Sequence, residues 1–191
     1  MQIIIAGSAA GRGEQHQYLI SYVVNRHIAI DAGCIGCITP LADQKALKHV
    51  FLSHTHIDHT ASLPCFLDNV FEPNSEGVRL YASQATAAGL ARDFFNDSTW
   101  PDLVRLSREE SPFFTLELLV SEQSVAVEDL RVLPVELNHV VPTLGFVISD
   151  ERSSVAIVSD TAPSDRIWQV LNEVPNLRAV FLEASFPNSM S

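Results

Sequence analysis

The sequence predicts a single α/β domain, and three observations carry that expectation. Short apolar runs rich in β-formers alternate along the chain with segments of helical apolar spacing, the order that builds layered α/β structure. At 191 residues the chain is long enough for one well-buried core and short for two. Chemistry-bearing residues stand at the ends of the predicted strands: His54 and His56 after one, His139 after another, Asp160 after a third.

Residues 3–6 read as a first strand, followed by a glycine-containing connection over residues 7–13 that fits neither a P-loop nor a dinucleotide-binding turn. Residues 18–24 and 27–30 pair as strands around an Asn25-Arg26 turn and lead into Asp31-Ala32-Gly33. Residues 41–49 have helical spacing and deliver the chain to a short buried strand at Val50 to Ser53, with His49 a surface residue before it. A helix through residues 63–71, a strand at 78–82 and a helix from about 84 to 95 follow, then a less regular region opening at Asn96. Strands are expected over residues 113–120, 125–127 and 131–137, the last ending in Asn138-His139. A hairpin spans 144–149 and 154–159, its second strand ending in Asp160-Thr161. A short helix at 164–172 should bury Trp168 and Leu171, and residues 179–182 form a final buried strand.

Ser53-His54-Thr55-His56-Ile57-Asp58-His59 concentrates three of the seven histidines and an aspartate in one stretch. On an extended segment alternate side chains point the same way, so His54 and His56 can reach one ion. If Asp58 opens a helix, Asp58 and His59 project from its first turn beside that ion, where a second could sit. Neutral imidazole and carboxylate suit zinc or a similar divalent ion.

His54-Thr55-His56-Ile57-Asp58-His59 resembles the His-x-His-x-Asp-His signature of the metallo-β-lactamase-fold hydrolases, and the flanks agree over nearly the whole chain. The stretch from Leu52 to Pro64 is most similar to the class II cyclic-nucleotide phosphodiesterase-like group. The resemblance implies a four-layer αβ/βα sandwich, two mixed sheets between outer helices. It implies His54, His56 and His139 as ligands of one metal, Asp58 and His59 as ligands of a second, and Asp160 as a bridge. Asp31 becomes a hydrogen-bonding support beneath the metal loop, and Asp58 also a catalytic residue that orients the nucleophile or shuttles its proton. The implied cofactor is a pair of divalent ions, zinc first, with manganese or iron as alternatives. The implied reaction opens cyclic AMP or cyclic GMP to the 5'-monophosphate, with the ions activating a bridging water. Other hydrolases of the same scaffold, a ribonuclease Z-like enzyme, a lactonase or a thioesterase, are the competing readings, as is a catalytically incomplete metal-binding or assembly module.

The sequence departs from the pattern in one respect. No histidine occurs after His139, so the ligand that the family supplies beyond its final strand is absent. The expectation is a fold lacking its C-terminal part, a second site one ligand short, and exposed apolar surface that favours homo-oligomers.

Composition narrows the partners. A net charge of −11 with two lysines disfavours nucleic acid, whose binding depends on basic side chains displacing counterions, and leaves a small anionic substrate such as a cyclic nucleotide. No apolar run approaches a membrane span, and the first residues lack the features of a signal peptide, so the cytoplasm is expected. Three cysteines make no disulfide framework. Cys34-Ile35-Gly36-Cys37 is read as small residues in a turn and Cys65 as packing.

Overall fold

The structure, a computed structural model, describes residues 1–7, 19–109 and 111–183. Most of the glycine-containing connection after the first strand, Tyr18, and the segment after Glu183 lie outside the described residues. The chain forms two compact units, Gln2–Leu118 and Leu119–Ser191, the latter with Met1. Among the described residues no helix is long and apolar enough to cross a membrane.

The N-terminal unit is built on a six-stranded mixed sheet in chain order: β1 (Ile3–Gly7), β2 (Ser21–Val24), β3 (Ile28–Ile30), β4 (His49–Phe51), β5 (Val78–Ser83) and β6 (Phe114–Leu119). β1 with β2 and β2 with β3 pair antiparallel; β3, β4 and β5 run parallel. Asn25 and Arg26 both adopt positive φ, 47° and 67°, which is what a two-residue hairpin needs to match strand twist. Crossover helices α1 (Leu41–Ala46), α2 (Ile57–Thr60) and α3 (Leu63–Val70) connect the parallel strands, and α4 (Gln84–Asp93) and α5 (Leu103–Glu109) follow β5. Ser83 caps α4 by accepting the Thr86 backbone N–H at 3.0 Å.

Alternation along the strands decides what packs where. Val50, Leu52, Leu80 and Ala82 join Leu63, Phe66 and Leu67 of α3 and Leu90 of α4 in one cluster, all nearly inaccessible. Their odd-numbered neighbours Phe51 and Tyr81 stack with ring centroids 4.1 Å apart. Each such side chain contributes roughly 1.5–3 kcal/mol by leaving water.

The C-terminal unit carries a five-stranded sheet ordered β11-β10-β9-β8-β7. Its strands are β7 (Val125–Val127), β8 (Leu130–Leu137), β9 (Thr143–Ser149), β10 (Ser154–Val158) and β11 (Leu177–Leu182), and α6 (Arg166–Glu173) joins β10 to β11. All pairs are antiparallel except β10 with β11. Ile167, Val170 and Leu171 of α6 pack on Val135, Val147, Ala156 and Val158.

Four expectations need correction. Trp168 is 43 % exposed, because the helical repeat that turns Ile167, Val170 and Leu171 inward leaves it on the flank. The final strand is at the edge of its sheet and mostly exposed, with Leu182 at 49 %. Cys65 is exposed on α3, whose inward face belongs to Leu63, Phe66 and Leu67. His49 lies within β4, partly buried, with Nδ1 3.2 Å from the Tyr81 hydroxyl. The irregular region after Asn96 also contains the unforeseen helix α5.

Candidate metal centre

In the N-terminal unit, β4 ends at Phe51 and the chain runs extended through Leu52, Ser53, His54, Thr55 and His56 before turning into α2. His56 is the residue before that turn, with φ −60° and ψ 147°, and its carbonyl accepts both the His59 N–H at 3.0 Å and the Thr60 hydroxyl at 2.9 Å. The expected helix is thus two helices: Asp58 and His59 sit on the single turn of α2, and Pro64 near the start of α3 begins a new one. His54 and His56 present ring nitrogens within 4.8 Å of one another, as do the ligand atoms of Asp58 and His59. His54 and His59 are fully buried; His56 and Asp58 are partly exposed.

Asp31 organises this loop. It is 1 % exposed and holds φ at 61°, a left-handed conformation tolerated by aspartate better than by most residues. Its Oδ1 accepts the Ser53 backbone N–H at 2.7 Å, and its Oδ2 accepts the Ser53 hydroxyl at 2.9 Å and Nδ1–H of His59 at 2.7 Å. The Ser53 hydroxyl, having given its only proton to Asp31, accepts at its oxygen from Nδ1–H of His54, 2.9 Å away. One carboxylate therefore sets both tautomers, leaving the lone pairs of His54 and His59 on Nε2. That is the state in which a histidine binds a metal while its other nitrogen is held by a carboxylate. Gly33 makes this approach possible: a Cβ there would collide with the Asp58 carbonyl, while the Asp58 carbonyl accepts the Ile20 N–H at 2.8 Å.

In the C-terminal unit His139 follows β8 and Asp160 follows β10, with His139 Nε2 3.6 Å from Asp160 Oδ2 and both side chains 19 % exposed. Their loops are tied together: Asn138 accepts the Ala162 N–H at 2.6 Å through its carbonyl and donates from Nδ2 to the Pro163 carbonyl at 3.1 Å. Glu183, which follows β11, presents a carboxylate oxygen within 4.8 Å of one from Asp160. Of the six residues expected as ligands, the structure groups His54, His56, Asp58 and His59 in the N-terminal unit and His139 and Asp160 in the C-terminal unit. Sequence reading missed Ser53 as the relay that orients His54, and it missed Glu183.

A family model described as "Beta-lactamase superfamily domain" matches residues 35–191. The chain belongs to that superfamily. Curated relatives in reach include ribonuclease Z of Prochlorococcus marinus (strain MIT 9301), 28% identical over 144 residues, covering 74% of this chain and 38% of the relative. A 3',5'-cyclic-nucleotide phosphodiesterase of Aliivibrio fischeri is 26% identical over 158 residues, covering 74% of this chain and 46% of the relative. The chain thus spans less than half the length of either. Among solved structures, unliganded yeast PDE1 matches 93% of this chain and 73% of its own at TM-score 0.72 and 15% identity. The metallo-β-lactamase fold protein YhfI from Bacillus subtilis matches 88% and 65% at TM-score 0.65 and 16% identity. The superfamily member described here therefore has the metallo-β-lactamase fold, which implies divalent metal binding, and is shorter than these neighbours. Its residues fit such ions: imidazoles with Nε2 lone pairs set by buried partners, and carboxylates beside them.

Proposed function

We propose that this protein is a metal-dependent phosphodiesterase that opens 3',5'-cyclic nucleotides to 5'-monophosphates, with His54, His56, Asp58, His59, His139 and Asp160 as its metal ligands. The observation that carries the metal reading is the Asp31-Ser53-His54 and Asp31-His59 hydrogen-bond relay, the arrangement in which a metal-ligating histidine has its other ring nitrogen held by a carboxylate, directly or through a neighbour. The likeness to yeast PDE1 over 93% of the chain and the match to the phosphodiesterase of Aliivibrio fischeri support the substrate class.

Divalent ions held by these residues would neutralise the phosphoryl oxygens and make a water acidic enough to act near neutral pH. The chain's own contribution is orientation and proton handling. Asp58, partly exposed on α2 and with Oδ2 3.7 Å from His59 Nε2, takes the proton of the attacking water. Water adds to phosphorus, the bond from phosphorus to O3' breaks, and Asp58 returns the proton to O3'.

The match to ribonuclease Z supports a second reading, cleavage of an RNA phosphodiester. The net charge of −11 weighs against it, because a polyanion must be met by basic side chains. The test is hydrolysis of cyclic AMP and cyclic GMP by the metal-loaded chain, beside a precursor tRNA. Release of 5'-monophosphate, with the RNA left intact, is expected. Cleavage of the RNA with intact cyclic nucleotides would replace the first reading by the second.

A further inference from the structure

Strand direction alone gathers three potential ligands at one edge of the C-terminal sheet. β8 is antiparallel to β9, β9 is antiparallel to β10, and β10 is parallel to β11. So β8, β10 and β11 point the same way, and the residues that leave their C-terminal ends emerge on a common edge. These are His139, Asp160 and Glu183. The register places Val158 opposite Leu182, one residue before Ser159 and Glu183, and the Glu183 N–H is fixed to the Val158 carbonyl at 3.1 Å. The backbone at Glu183 is thus held by the sheet.

Asp160 occupies the middle of this set. On one side its Oδ2 lies 3.6 Å from His139 Nε2, and on the other one of its oxygens lies within 4.8 Å of a Glu183 oxygen. Two carboxylates this close repel one another as anions, and hard or borderline divalent ions are the usual means of holding such pairs. In the sheet order β10 lies between β11 and β8, so Asp160 has a potential ligand on each side. His139 and Glu183 supply one each.

We propose that Glu183 is a metal ligand of this chain, holding with Asp160 the ion that His139 does not. The assignment rests on the metal-dependent reading above and extends it by a residue outside the six ligands already proposed. It predicts an oxygen-richer second site than first.

The test is metal binding by the full chain, stripped with chelator and titrated with Zn²⁺ and with Co²⁺, the latter read by its visible absorption. Wild type is expected to take up two ions. Glu183→Gln should keep one and bind the second more weakly by over about 100-fold, the upper end of what losing an outer-shell partner costs. Its metal-free thermal unfolding temperature should be no lower than that of metal-free wild type, since one of two repelling carboxylates is neutralised. Glu183→His should recover the second ion, because imidazole is an equivalent donor for zinc. Two ions in Glu183→Gln at wild-type affinity would overturn the assignment of Glu183 and leave the metal-dependent reading standing. A wild-type chain with one ion, unchanged in Glu183→Gln, would overturn it equally. A wild-type chain that takes up no ion would overturn both.

Discussion

Replacing Asp31 by asparagine should disarm the metal loop without unfolding it. The amide oxygen can keep the Ser53 backbone N–H, but the amide nitrogen then occupies the place of Oδ2 and donates where the carboxylate accepted. Ser53 Oγ must accept that proton and send its own to Nδ1 of His54, and Nδ1 of His59 must accept as well. Both imidazoles flip tautomer, and both Nε2 atoms gain a proton. Loss of an orienting partner costs 10–100-fold in metal affinity, about 1.4–2.7 kcal/mol, for each histidine affected. With one histidine affected at each of the two ions, each ion should bind roughly 10–100-fold more weakly. The fold is expected to survive, since the hydrogen bonds among position 31, Ser53, His54 and His59 are each kept or remade in the reverse direction. Asp31→Ala, in contrast, strands the Ser53 N–H and the His59 ring N–H, and at about 1–3 kcal/mol for each should lose about 2–6 kcal/mol of stability. Urea unfolding of the metal-free variants measures the second effect, Zn²⁺ titration the first, and ¹⁵N shifts of the imidazole nitrogens report the tautomers directly. An Asp31→Asn chain that binds zinc like wild type, or one that retains Nδ1–H on His54 and His59, would refute the relay.

Gly33→Ala should destabilise the chain by about 3 kcal/mol, the upper end for overpacking, because the new methyl meets a backbone carbonyl that cannot turn away; thermal unfolding of the metal-free protein checks it. Chelation should lower the unfolding temperature of the metal-loaded wild type by about 5–10 °C for each bound ion, since an ion at a hundredfold its dissociation constant adds about 2.7 kcal/mol, and should lower that of Asp31→Asn by about half as much or less. The Arg152 backbone N–H, and after it the N-terminal ammonium 3.1 Å away, hold the Asp150 carboxyl well below the usual carboxylate range. A depressed folded-state value contributes stability above the unfolded-state value, near pH 4, that is lost as the pH falls. Asp150→Asn should therefore lower stability at neutral pH, leave it nearly unchanged at acid pH where the wild-type carboxyl is protonated, and so flatten the acid limb of the profile, as urea unfolding across the pH range would show. Burial raises the Cys34 thiol, so it carries less thiolate than an ordinary cysteine and should alkylate more slowly at pH 8 than the exposed Cys65, as peptide mapping after a timed iodoacetamide pulse would show.

Much of this was legible from residue patterns. The run before Ser53 announced a buried strand, and the alternation of His54 with His56 suggested a shared direction; their ring nitrogens lie within 4.8 Å of one another. Asp31 as the support beneath the loop came from resemblance, and the structure shows it accepting three hydrogen bonds there. The role of Ser53 was hidden because a hydroxyl is donor and acceptor at once, and its direction is decided only when Asp31 and His54 are both placed. Trp168 was misread because size was allowed to outweigh periodicity. The last strand was misread because an apolar run does not say whether it lies inside a sheet or at its border. Glu183 was invisible for a related reason: its nearness to Asp160 comes from the parallel pairing of β10 and β11, 23 residues apart in the chain at these two positions.

The common edge reached by β8, β10 and β11 also makes the chain open to reprogramming. Positions 139, 160 and 183 lie just past hydrogen-bonded strand ends, so their side chains can change while Leu137, Val158 and the rest of the packed sheet keep their places. Metal preference follows donor chemistry, with carboxylates drawing manganese or magnesium and thiolates drawing softer ions. If positions 139, 160 and 183 hold metal as proposed, a three-position library at this edge would vary which element is selected while the scaffold stays constant.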